Sequence, residues 1–191
     1  MPQNSPMTRG RMGLTLLSAW LVATAVFAES TAPSHEIGAM GGGSIRIFGS
    51  SERLASLGAV YGISKPEPRF GSRKVPADLV TEGYGEFSSS SGDIFDSPYS
   101  RAAVGGLALS RWYPKSMFVD LGVGLQWNSK LSRDISSSVN STPVLDVGLR
   151  HGAGNRELLY GIRYMHISNA NTKRPNRGQN QFLFYVVVQS F

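Results

Sequence analysis

Met117-Phe118-Val119-Asp120-Leu121-Gly122-Val123-Gly124-Leu125-Gln126-Trp127 is the stretch on which the reading of the fold turns. In an extended chain, successive side chains point to opposite sides. Met117, Val119, Leu121, Val123, Leu125 and Trp127 therefore share one face, and Phe118, Asp120, Gly122, Gly124 and Gln126 share the other. An apolar face opposite a small and polar one suits a strand whose outside meets lipid and whose inside lines a lumen. A strand of a soluble sandwich alternates in the same way, so the number of such segments has to decide.

The same period-2 pattern recurs on both sides of this stretch. Strands are expected near residues 35–48, 54–64, 78–88, 102–113, 117–128, 142–151, 157–168 and 181–191. That is about eight, the smallest common membrane barrel. Pro114-Lys115-Ser116 and residues 152–156 make short connections, whereas residues 88–101, 129–141 and 169–180 make long polar ones. Short turns alternating with long loops are the pattern of periplasmic turns and external loops. The connection 65–77 is long and proline-rich where a short turn is due, and reads as a surface excursion. The chain closes on an aromatic, β-rich strand ending in Phe191. Such an ending resembles the C-terminal signature of bacterial outer-membrane proteins.

The N-terminus is a different kind of segment. Arg9 and Arg11 precede an apolar run from Leu14 to Phe27, and Ala25-Val26-Phe27-Ala28 places small residues where a signal peptidase reads them. This is the pattern of a secretory signal, with cleavage expected after Ala28. The remaining 191 − 28 = 163 residues (29–191) suit one domain. No later run reaches the ~18 apolar residues of a spanning helix. The fold expected is thus all-β: an eight-stranded antiparallel outer-membrane β-barrel.

Composition narrows the chemistry. The chain has no cysteine, which excludes disulfides, thiolate catalysis and thiolate metal sites. Its net charge of +6 suits phosphorylated, anionic lipid or, equally, a solvated loop surface; nucleic acid is not the expected partner of an exported chain. Gly41-Gly42-Gly43 lacks the strand–helix context of a phosphate loop, and His35-Glu36 does not extend to a His-Glu-x-x-His zinc motif. No metal or cofactor is implied.

Of the three histidines, His35 and His151 read as structural. His166 has another context, Tyr164-Met165-His166-Ile167-Ser168-Asn169-Ala170. His166 and Ser168 lie two apart and share a strand face, so the imidazole stands within reach of the hydroxyl proton. Asn169 and the backbone N–H groups of the following turn can donate to a developing oxyanion. Arginine at the lipid midplane costs roughly 2–4 kcal/mol, so Arg163 should point inward, with Asp120, Asp146 and Arg150 as candidate company. His166 and Ser168 then face outward, near the outer surface.

His-x-Ser-Asn-Ala at 166–170, followed by Pro175-Asn176-Arg177-Gly178, resembles the motif of outer-membrane lipid A 3-O-deacylases of the PagL type. The close match runs over about residues 166–191. The resemblance implies a lipid A deacylase acting in the bacterial outer membrane, hydrolysing a primary ester-linked acyl chain of lipopolysaccharide. It implies His166 as general base and Ser168 as nucleophile. It places Asn169 and Ala170 by the oxyanion and makes Asn176 a shaper of the loop. Lys173, Arg174 and Arg177 would meet lipid A phosphates. One position departs from the family pattern: Asn180 stands where a glutamate orients the histidine. Asparagine can orient an imidazole but cannot stabilise an imidazolium by charge. The alternative is a non-catalytic structural or adhesion barrel that retains the motif. Homodimerisation, and the acyl chain removed, stay open at this level.

Overall fold

The computed structural model describes residues 33–48, 50–66, 77–90, 99–174 and 176–191. The expected signal peptide, residues 1–28, and most of the 65–77 connection lie outside the described residues, as do residues 91–98. The strands are β1 (Ser34–Ile45), β2 (Ala55–Pro66), β3 (Ala77–Ser90), β4 (Tyr99–Trp112), β5 (Met117–Asn128), β6 (Val139–Ser141), β7 (Val144–Ala153), β8 (Arg156–Ile167) and β9 (Gln179–Ser190). All neighbours pair antiparallel, β1 pairs with β9, and β4–β5 pairing closes the sheet.

β6 and β7 are two pieces of one barrel strand. Leu125 faces Ser141 and Gly122 faces Val144, so both pieces keep a single register on β5. Pro143 interrupts the strand because proline has no N–H for the ladder. Counting them as one gives an eight-stranded barrel. The expected polar loop 129–141 is therefore shorter than its composition indicates, since residues 139–141 continue the strand. At the first hairpin the difference runs the other way. β1 stops at Ile45, not at Phe48, which takes φ 49° and belongs to the loop.

The alternation has the expected sense. Leu121, Val123, Leu125 and Trp127 are exposed, while Phe118, Asp120 and Gln126 are buried. Ile37, Leu57, Phe87, Val104, Val147, Ile162, Phe182 and Phe184 extend the apolar belt around the wall. Such a continuous exposed surface is matched by lipid rather than water.

The interior holds two charge clusters, each an arginine bound to two carboxylates. Arg111 is fully buried and donates to Asp120 at 2.7 and 2.8 Å and to Glu36 at 2.6 Å. Arg163, equally buried, binds Asp146 at 2.8 Å and Glu82 at 2.9 Å, and its guanidinium lies 4.5 Å from the centre of the Tyr185 ring. Asp120 and Asp146 face each other across β5 and β7, the first bound to Arg111 and the second to Arg163. Arg163 and Asp146 thus meet inside, as expected. Asp120 also lies inside, bound to Arg111. Arg150 is only half-buried, paired with Glu157 and stacked on Tyr113 near the short-turn end.

Short turns gather at one end. They include the two-residue turn Gly154-Asn155, where Gly154 takes φ 64°. The β1–β2, β5–β6 and β8–β9 loops gather at the other end, and two of them interlock. The buried Asp134 carboxylate accepts from Ser50 Oγ (2.9 Å), Ser51 N (2.6 Å), Ser51 Oγ (2.6 Å) and Glu52 N (2.8 Å). Glu52 reciprocates, accepting from Ser132 Oγ and Arg133 N, each at 2.7 Å. This clasp ties the β1–β2 loop to the β5–β6 loop above the barrel rim.

Candidate active site

At the loop end of β8, His166 stands opposite Asn180 on β9 on one side and hydrogen-bonds Pro143 on the other. Its face also carries Tyr164, Ile162 and, one step further, Ser168. Ile162 is exposed to the lipid side, so His166 and Ser168 lie on the outer wall. Both are half-buried.

Asn180 shares that outer face yet is fully buried, covered by its neighbours and by the β1–β2 loop. Its Nδ2 donates to the Ile47 carbonyl at 2.8 Å. A carbonyl can only accept, which fixes the amide orientation and leaves Oδ1 toward His166 Nδ1 at 2.8 Å. Nδ1 must then carry the imidazole proton, and Nε2 keeps its lone pair. The Tyr164 hydroxyl donates to the same Oδ1 at 2.7 Å.

Ser168 is anchored by its backbone. Its N donates to the Ser141 carbonyl at 3.0 Å and its carbonyl accepts from Ser141 N at 2.7 Å. Ser141 Oγ also donates to the Ser168 carbonyl at 2.9 Å and lies 3.4 Å from Ser168 Oγ. Among the described residues, Ser168 Oγ makes no hydrogen bond with His166 in this arrangement.

The loop that follows is held by side-chain amides. Asn169 Nδ2 donates to Ser136 Oγ (2.9 Å) and to the Lys173 carbonyl (2.7 Å), while Asn169 N donates to Asn176 Oδ1 (3.2 Å). Asn169 Nδ2 thus uses its donors within the loops. Asn176 Nδ2 donates to Asn171 Oδ1 (3.2 Å), and the residue bridges to Ile135. Ala170 and Asn171 adopt φ 50° and 61°, turning the chain sharply after the serine. Lys173, Arg174 and Arg177 are exposed on this loop.

Three participants were not assigned roles by sequence. Tyr164 was visible only as a strand aromatic. Ile47 acts through its backbone, which carries no residue signature. Gly178 lies within the matched motif, and its N donates to the Asp134 carbonyl at 3.2 Å. It takes φ 68° against the His166 ring, a conformation that glycine adopts readily. His35 and His151 sit at the short-turn end, where His35 Nδ1 meets Tyr61 OH at 2.9 Å.

A family model described as Lipid A 3-O-deacylase (PagL) matches residues 77–189, more than half of the chain. The chain belongs to the PagL family. The crystal structure of the outer membrane enzyme PagL superposes with a TM-score of 0.54, covering 80% of this chain and 97% of that one. At 16% identity this likeness speaks for the shared barrel. Comparison with curated proteins finds no match. Family and apolar belt together place the barrel in the bacterial outer membrane. The PagL family match also spans every residue discussed above on β8, β9 and the loop between them.

Proposed function

We propose that this chain is a lipid A 3-O-deacylase in which His166 and Ser168 form a serine esterase centre facing the outer leaflet. The observation that carries the reading is the Asn180–His166 hydrogen bond, which leaves Nε2 as the basic nitrogen two residues from a serine on the same face. Catalytic hydrogen bonds are often unmade in a free site and form with substrate. Here a rotation of the half-exposed Ser168 side chain, from Ser141 toward His166, completes the pair.

Ser168 Oγ attacks the ester carbonyl of an acyl chain on the glucosamine 3-position while His166 Nε2 takes the hydroxyl proton. The oxyanion formed is met by backbone N–H groups of the turn at Ala170 and Asn171. Collapse breaks the C–O bond to the sugar, and His166 returns its proton to the departing sugar oxygen. Water, deprotonated by His166, then releases the fatty acid from Ser168. Lys173, Arg174 and Arg177 flank the site as counter-charges for lipid A phosphates. All of these groups come from one chain, so a dimer is not required by the chemistry.

The competing reading is a non-catalytic barrel that keeps the motif. It draws on the neutral amide at position 180 and on the Ser168 hydroxyl resting by Ser141. Mass spectrometry of lipid A decides between them, after expression in a bacterium without such an enzyme. Loss of one ester-linked acyl chain, abolished by Ser168→Ala, is expected. Unchanged lipid A from a correctly inserted barrel overturns the proposal.

A further inference from the structure

The side chain of Asn180 can sit in two orientations, and for its histidine neighbour they are chemically different. With Oδ1 toward His166, as found, the ring proton is on Nδ1 and Nε2 is a base. With the amide turned over, its NH2 group faces Nδ1, which must then accept. The ring proton moves to Nε2, and the base is gone. A carboxylate at this position has no such ambiguity, because both of its oxygens accept. A site that uses asparagine here therefore needs groups that hold the amide one way round.

Two groups beside Asn180 have that property. The Ile47 carbonyl takes the Nδ2 proton at 2.8 Å, and a turned amide would set oxygen against oxygen there. The Tyr164 hydroxyl donates to Oδ1 at 2.7 Å. Its ring lies 5.1 Å from the Phe182 ring, centroid to centroid, on the same outer face, which limits where the hydroxyl can go. Ile47 in turn is held by the loop whose Ser50, Ser51 and Glu52 are clasped to Asp134.

We infer that Tyr164 is a positioning residue that acts through Asn180. Together with the Ile47 carbonyl it locks the amide so that His166 stays in the tautomer protonated on Nδ1. The inference rests on the esterase reading above for its purpose, but the tautomer itself can be read without any turnover. It also states what the site is adapted to. The pocket around position 180 is built for an amide, since a carboxylate there would turn one oxygen toward the Ile47 carbonyl with no proton between them.

The test uses the folded barrel in detergent micelles with 15N-labelled histidine, at about pH 8, where a free imidazole is neutral. The chain has three histidines, so the His166 ring signals are assigned by their disappearance in His166→Gln. The wild-type ring is expected to be protonated on Nδ1. Tyr164→Phe keeps the ring against Phe182. It is expected to give a mixture of tautomers and to lower kcat roughly three- to ten-fold, the effect of losing one neutral hydrogen bond. KM should be unchanged. In an Asn180→Asp background, where the amide ambiguity is absent, Tyr164→Phe should no longer move the tautomer. A wild-type ring protonated on Nε2 overturns the inference, as does a Tyr164→Phe protein identical to wild type in both tautomer and kcat. If the tautomers behave as stated but no form deacylates lipid A, the lock is supported and the esterase reading falls.

Discussion

Gly178 lies so close to His166 that a β-carbon built on it would stand 2.6 Å from Cε1 and 3.0 Å from Nε2 of the ring. The imidazole is thus bounded by a glycine on one flank and held at Nδ1 by Asn180. Gly178→Ala would add this clash to the ~1–2 kcal/mol that a side chain loses in left-handed backbone. Deacylation is expected to fall at least about tenfold, because a displaced ring no longer meets Ser168. The barrel itself should survive, with unchanged heat-modifiable migration in gels. Full activity in Gly178→Ala would mean that the ring works from another position.

The Asp134 clasp gives a second expectation. Its carboxylate accepts four hydrogen bonds from the opposite loop, and charged hydrogen bonds contribute roughly 1.5–3 kcal/mol each. Asp134→Ala should loosen both loops, together with the Ile47 carbonyl and Gly178, whose N–H bonds the Asp134 backbone. Limited proteolysis of the refolded protein should show new cuts near residues 46–54 and 129–138, with reduced lipid A turnover. The strands, which do not depend on the clasp, should stay protected.

In the lumen, Arg163 bridges Glu82 and Asp146. Removing one partner of a buried ion pair costs about 3–5 kcal/mol, because the remaining charge is stranded. Arg163→Met is expected to destabilise by that order in urea unfolding from micelles. Adding Glu82→Gln and Asp146→Asn should recover a large part of the loss, since no uncompensated charge would remain. Equal stability of the single and triple variants would show that packing around Arg163, not charge, is what matters.

The outer wall is tested at Val123, mid-strand on β5 and 59% exposed. Val123→Arg should cost roughly 2–4 kcal/mol if that position meets the bilayer midplane. Val123→Leu should be neutral. Folding yields into lipid vesicles of defined thickness give the measurement, and a tolerated arginine would contradict the assigned lipid face.

What could be read in advance follows from the range of each interaction. The alternation along Met117–Asn128 is local, so strand faces and the inward turn of Arg163 were legible. Pro143 hid Val139–Ser141, because a serine-rich approach to a proline looks like a loop even when the register continues beyond it. The partners of buried charges were harder to read. Glu82 reaches Arg163 across the lumen, 81 residues away in sequence, and no local pattern links them. At the site, the His-x-Ser spacing and the Asn180 departure were visible, because both lie on adjacent strands of one hairpin. The Ile47 carbonyl was not, since any residue offers one. The role of Gly178 needed the fold of the loop, which returns the chain against the imidazole.

The charge clusters inside the barrel carry a consequence for the cell. Arg111 and Arg163, with Glu36, Glu82, Asp120 and Asp146, block the lumen with groups bound to one another and to the wall. A hydrated ion crossing it would have to break these ion bridges in a space that offers little replacement solvation. Reconstituted in a planar bilayer, the protein should be electrically silent. A cell could then carry many copies while its permeability barrier stayed intact.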